Sequence, residues 1–189
     1  MSRNLDIHRQ SQNALEKTSR RNERVAVEDI GNTVLLDGID MWRRLAGGRC
    51  YPTRKDITPR LLKPLLRNTT LVRVIDGGRD YEYRIVGDAY VMAHGVSFQG
   101  RRWSQIADLS PGYHKYIKPI YDEVAHDAAI VGTRGWIERG AGSQGHVYCE
   151  YVFLPLGDAE VDHILVFATY IRADGLAHVA GSFSSSFDA

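Results

Sequence analysis

At 189 residues, 43% hydrophobic and 25% charged, the chain is long enough for one domain with a packed core. Its 24 Lys and Arg nearly balance 23 Asp and Glu, so overall charge indicates neither nucleic acid nor a membrane as a partner. Two distant cysteines, Cys50 and Cys149, form no CxxC or zinc-ligand cluster and read as reduced thiols.

No apolar run approaches the roughly 20 residues of a membrane span, and the first residues lack the apolar centre of a secretory signal. A cytoplasmic protein is expected. Residues 1–24 carry six Lys and Arg against three Asp and Glu, with few apolar residues. They read as a flexible polar arm, with nucleic-acid binding through that arm as the sharper alternative.

Residues 25–67 are expected to form N-terminal flanking helices. From Ala26 to Ala46, Ile30, Val34, Met41 and Leu45 recur near a helical period, and Leu35, Ile39 and Trp42 widen the stripe. Gly47-Gly48 ends it. Thr58 followed by Pro59 starts a short helix to about Leu66, limited by Pro64.

Residues 68–172 read as the core. The strands "TLVRVID" and "DYEYRIVG" are joined through Gly77-Gly78, a hairpin turn signal. Alternation puts Tyr81, Tyr83 and Ile85 on one face of the second strand and Glu82, Arg84 and Val86 on the other. Small helical pieces follow around Ala89–Ala93 and Ser104–Ile106. A firmer helix spans about Tyr113 to His126, kinked or split at Pro119. "TRGWIER", "HVYCEYVFLPL" and "HILVFATYI" then form three antiparallel strands, and residues 173–189 read as a flexible tail. The fold class is therefore α+β: a five-stranded antiparallel sheet with helices packed on one face, plus the N-terminal flanking helix.

That order resembles the PAS fold, and three local patterns carry the resemblance. "GDAYVMAHGVSFQGRRWSQI" resembles the segment in which small helical turns end in Gly and are followed by Gly-Arg, here Gly95, Gly100 and Arg101. "YVFLPLGDAEVDHILVFATYI" resembles the closing hairpin, a strand ending in Pro-Leu before an apolar final strand. "MWRRLAGGRCYPTRKDITPRLLKPLL" resembles the segment before the sheet in one bacterial PAS group, matched at Trp42, Gly48, Pro52, Arg54, Asp56, Ile57 and Pro59. The strand after it matches at Tyr83, Arg84, Ile85, Val86 and Gly87. Together they span about Leu35 to Ile171. Where many PAS domains carry Asn before the small helices, this chain has Gly87-Asp88.

The resemblance implies a stand-alone sensory module with a pocket between the strand from Tyr81 and the glycine-bounded turns. It would bind a small molecule or a protein partner and pass a signal to a downstream protein, with no output domain in the chain. The pocket candidates are Tyr83, His94, Tyr116, Trp136, Tyr148 and Phe167, because aromatic rings with polar tips suit small-molecule walls. Arg84 is the candidate contact for an acidic ligand. The flanking helix either caps its own sheet or pairs with a second copy; in a homodimer Leu35, Ile39 and Trp42 would be the interface residues.

The residues name no cofactor and no metal site. Some PAS domains bind haem through a helical histidine, and His114 and His126 are such residues, although a lone helical histidine is usually a surface group. No phosphate loop, Rossmann fingerprint, GxSxG or HExxH occurs, so no enzyme is expected. The enzymatic alternative would need Asp88 or Glu150 to converge with His94. A ligand-free interaction module is the other alternative.

Overall fold

The computed structural model describes residues 22–106, 111–138 and 146–172. One antiparallel sheet contains β1 (Glu23–Val25), β2 (Thr69–Ile75), β3 (Asp80–Val86), β4 (Val131–Glu138), β5 (His146–Gly157) and β6 (Val161–Arg172). Their order is β1-β4-β5-β6-β2-β3. The helices are α1 (Thr33–Ala46), α2 (Pro59–Leu62), α3 (Asp88–His94) and α4 (Pro111–Asp127). Residues 1–21 of the expected N-terminal arm and the whole of the expected C-terminal tail, 173–189, lie outside the described residues.

The five expected strands are present, and β1 is a sixth that lies along β4. Three residues with no apolar alternation give no strand signal in sequence. The ladder with β4 and the packing of Val25 on the α1 core hold them, and two exposed ion pairs flank the strand, Glu23 with Arg134 on β4 and Arg24 with Glu123 on α4.

Alternation along the strands divides the interior into two cores. On one side, Val147, Cys149, Tyr151 and Phe153 of β5 join Ile164, Val166 and Ala168 of β6 beneath α3, α4 and the segment after α3. On the other, Val152, Leu154 and Leu156 join Leu165 and Phe167 beneath α1 and residues 51–65. The sheet is thus covered on both faces, with α1 supplying the second cover.

A β-bulge corrects the expected facing of β3. Leu71 pairs with Ile85 but Val72 pairs with Tyr83, so Arg84 is the extra residue. The bulge inverts the alternation beyond it. Ile85 therefore packs with the α1 core, while Val86 joins Tyr81 and Tyr83 in the other.

The expected helix from Ala26 begins at Thr33 instead. Asn32 caps it, its Oδ1 accepting the Val34 N–H at 3.1 Å while its Nδ2 donates to Thr169 Oγ1 at 2.9 Å. The same side chain therefore starts α1 and ties it to β6. Farther along, the Trp42 indole N–H donates to the Pro155 carbonyl at 2.8 Å. Pro155 is tolerated because β4 reaches only as far as Phe153, leaving that side of β5 without a ladder partner. α4 runs through Pro119 as one helix, with the proline exposed.

Candidate functional site

Beneath α3 and α4 the core is built largely of tyrosine. β3 contributes Tyr81 and Tyr83, α3 Tyr90 and His94, α4 Tyr113 and Tyr121, β5 Tyr151 and β6 Tyr170. Phe98 and Trp103 close it from the segment after α3. That segment is held to β3 by backbone: Gly100 N–H donates to Tyr83 O at 2.7 Å, and Tyr83 N–H to Arg101 O at 3.0 Å. The glycine-bounded turns and the strand are thus two walls of one compartment. The carboxylate of Asp80 pins the wall further on, accepting the Ser104 N–H at 3.1 Å and hydroxyl at 2.8 Å.

Tyr83 is the hub. Its ring centroid lies 5.7 Å from Phe98 and 6.4 Å from both Tyr90 and Trp103. The Tyr121 hydroxyl donates to Tyr83 at 3.4 Å, and Tyr83 donates to Tyr113 at 3.2 Å. His94 stacks on Tyr90 at 4.1 Å and meets the ring of Tyr113 at 4.9 Å. Tyr170 presents its edge to Tyr90, His94 and Tyr151.

Burial dominates the electrostatics here. It raises the phenols of Tyr83, Tyr90, Tyr121, Tyr151 and Tyr170 well above their ordinary value, with neighbouring tyrosines adding to or partly offsetting the effect. Tyr113 is pushed up to about 12, again by burial, although hydrogen bonding from Tyr83 opposes it. These groups are neutral phenols that donate and accept hydrogen bonds. The hydroxyls of Tyr90, Tyr151 and Tyr170 and the Trp103 indole N–H are nevertheless buried without a well-formed hydrogen bond among the described residues, although Tyr151 is near enough to Tyr170 and to Cys149 to perturb both. Tyr113 is near enough to Tyr90 to perturb its phenol, without a well-formed bond between them.

The expected pocket residues do not all converge. Tyr83 and His94 are at the centre, and Tyr116, partly buried on α4, packs against the same core. Phe167 is fully buried on the opposite face of the sheet, against α1. Trp136 and Tyr148 are cross-strand partners with rings 5.6 Å apart. The alternation that places Cys149 and Tyr151 beneath α4 puts this pair on the α1 side too. Arg84 is exposed at the bulge, where it pairs with Glu82 at 2.8 Å. Leu35, Ile39 and Trp42, named for a dimer interface, are buried in their own chain's α1 core. In the single chain, α1 lies over its own sheet.

The enzymatic constellation does not assemble. Asp88 is exposed at the start of α3, and Glu150 alternates onto the α1 side of β5, while His94 is inside the tyrosine core. Among the described residues, no group of three His, Cys, Asp or Glu could hold a metal ion. His114 stacks on Trp103 at 4.5 Å at the rim. His126 is exposed, its ring nitrogens 2.8 Å from Asp122 O and 3.1 Å from Gly77 O. It borders an open groove of about 360 Å³ with Val74, Ala125 and Val161, which contains none of the expected pocket residues. Cys50 is exposed, and burial pushes the Cys149 thiol up to about 12.

Tyr81, Tyr90, Phe98, Trp103, Tyr113, Tyr121, Tyr151 and Tyr170 are cluster members outside the pocket expected from sequence. The signal for several was present: Tyr151 shares parity with Cys149 and Phe153, and Tyr113, Ile117, Ile120 and Val124 form one helical stripe.

A family model described as a PAS domain matches residues 33–171. No curated protein matches the chain. Three similar solved structures illustrate the distance. A light-oxygen-voltage domain studied with a flavin analogue is 12% identical, with a TM-score of 0.43, covering 67% of this chain and 94% of its own. The PAS domain of Bordetella pertussis BvgS is 17% identical, with a TM-score of 0.43 and coverage of 68% and 94%. The PAS domain of an HTR-like protein from Haloarcula marismortui is 17% identical, with a TM-score of 0.38 and coverage of 58% and 88%.

Proposed function

The chain belongs to the PAS domain family, and on that premise we propose that it is a sensory module whose tyrosine core takes a small neutral molecule. The observation that carries this reading is the set of buried polar groups that make no well-formed hydrogen bond among the described residues: the Tyr90, Tyr151 and Tyr170 hydroxyls and the Trp103 N–H. A buried donor left unmade costs about 1–3 kcal/mol. A ligand or trapped water offering acceptor atoms recovers that cost. Phenols held neutral by burial favour an uncharged ligand with a flat apolar body, and the rings supply the apolar contact.

Ligand entry requires some of these rings to move, and movement of Tyr90 and His94 would shift α3. That is a route from occupancy to the surface, where a downstream protein could read it. The pocket as proposed comprises Tyr83, Tyr90, His94, Tyr113, Tyr116, Tyr151 and Tyr170. Phe167, Trp136 and Tyr148 face the other side of the sheet, and Arg84 faces outward. Extracting the purified, freshly unfolded chain and identifying released small molecules by mass spectrometry tests the reading. A stoichiometric neutral compound supports it; an extract indistinguishable from the buffer counts against it.

The second reading, an interaction module with a filled interior, is favoured by the close packing of the same rings. Its cores would serve stability alone, and its signal would come from partner exchange. Neither reading uses catalysis, in line with the scattered positions of Asp88, Glu150 and His94.

A further inference from the structure

We propose that the outer surface of residues 43–67 docks the protein onto bilayers carrying anionic lipid headgroups. The chain as a whole is close to neutral, but its charge is unevenly placed. Between Arg43 and Arg67 there are eight of the 24 Lys and Arg and only one of the 23 Asp and Glu, so the rest of the chain is net acidic. The whole-chain balance, from which no membrane partner was expected, averages this segment away.

The fold turns the segment's charge outward. Tyr51, Ile57, Leu62 and Leu65 pack inward on the α1 core. Arg43, Arg44, Lys55, Arg60, Lys63 and Arg67 are exposed, and none of these six is in an ion pair among the described residues. The one acid, Asp56, is already engaged by Arg49 at 2.8 Å and by the Thr53 N–H at 2.8 Å. It neutralises none of the six.

Exposed apolar side chains stand among these cations. Leu61 is 43% exposed and Leu66 44% exposed. Met92 of α3 is 66% exposed, with its Sδ 3.9 Å from the Arg67 guanidinium. This mixture discriminates between anionic partners. Nucleic acid rewards cations and stacking aromatics, and the segment's one aromatic, Tyr51, is partly buried against the α1 core. A bilayer surface rewards both features present: headgroups attract the cations, and leucine and methionine enter the interface. No helix among the described residues is long and apolar enough to cross a membrane, so the contact is peripheral.

The test is flotation of the full chain with vesicles of equal parts phosphatidylglycerol and phosphatidylcholine, against vesicles of phosphatidylcholine alone. Binding to the first and not the second, weakened by salt, is expected. The triple change R60Q, K63Q and R67Q should weaken it about fivefold per charge, the ratio equivalent to about 1 kcal/mol for each basic residue near such a surface. L61S with L66S should also weaken it while keeping its salt dependence. All these positions are exposed, so thermal unfolding should match the parent chain. Equal recovery with both vesicle types overturns the proposal, as does failure to float with either. Tighter binding to a short single-stranded RNA at the same salt, unaffected by L61S with L66S, overturns it in favour of a nucleic-acid surface.

Discussion

The ring of Phe167 lies directly against the backbone of Gly38. A Cβ built on Gly38 would come within 2.3 Å of the Phe167 ring, so α1 seats on β6 only because position 38 has no side chain. Gly38→Ala should therefore destabilise the fold by about 1–3 kcal/mol through overpacking. Phe167→Ala, which empties the same contact, should cost about 3–5 kcal/mol. Urea denaturation measures both. Because Phe167 is on the α1 side of the sheet, neither change should alter ligand retention in the fraction that stays folded.

The tyrosines separate into two classes with opposite expectations. Tyr83→Phe removes the middle of the Tyr121–Tyr83–Tyr113 hydroxyl chain and should cost about 1–2 kcal/mol. Tyr90→Phe and Tyr170→Phe remove hydroxyls that make no well-formed hydrogen bond among the described residues, so in ligand-free protein they should be neutral or stabilising by up to about 1 kcal/mol. In protein as purified they should release the bound molecule. Thermal unfolding before and after ligand extraction separates the two effects.

Alkaline titration provides a second check on the same core. Burial raises these phenols in the folded chain, whereas an unfolded tyrosine ionises near 10.0. The folded state then binds more protons, so this stabilisation is complete below 10.0 and is lost as pH rises above it. Tyrosinate absorbance from the buried rings should appear together with loss of the far-ultraviolet dichroism signal. Complete ionisation of all ten tyrosines in a chain that is still folded would contradict the burial described here.

Asp80 governs the acid side. Burial alone would raise its carboxyl, but the N–H groups of Tyr81 and Ser104 and the Ser104 hydroxyl outweigh that and hold it below 3.8. Its folded pKa is depressed, so its contribution is present above 3.8 and disappears as pH falls through the folded value. Asp80→Asn should lower stability at neutral pH and converge on the parent chain in acid. Chemical denaturation at several pH values measures the convergence; a constant difference down to the lowest pH would argue against this role.

Much of the architecture was legible in the residues. The hairpin at Gly77-Gly78, the closing strands and, from Thr33 onward, the apolar stripe of α1 appear where their patterns indicate, because period and turn chemistry are local properties. What alternation cannot say is which parity faces which core; cross-strand register decides that. Tyr148 and Phe167 are as aromatic as Tyr151 and Tyr170, and only register places them on the α1 side. The bulge at Arg84 is likewise invisible in a strand that alternates without interruption, yet it exchanges the facing of Ile85 and Val86. Gly87 shows the converse. The motif records it, and the structure supplies the reason: a Cβ there would meet the Arg67 carbonyl at 2.3 Å.

The central claim is that the tyrosine core holds a small neutral molecule, and the mass of the folded protein tests it most directly. The native mass spectrum of freshly purified full chain, compared with its denatured spectrum, should show added mass only when folded. That added mass should be lost in the Tyr90→Phe, Tyr170→Phe variant and retained in Phe167→Ala. A native mass equal to that of the bare chain contradicts the claim and leaves the filled-core interaction module in its place.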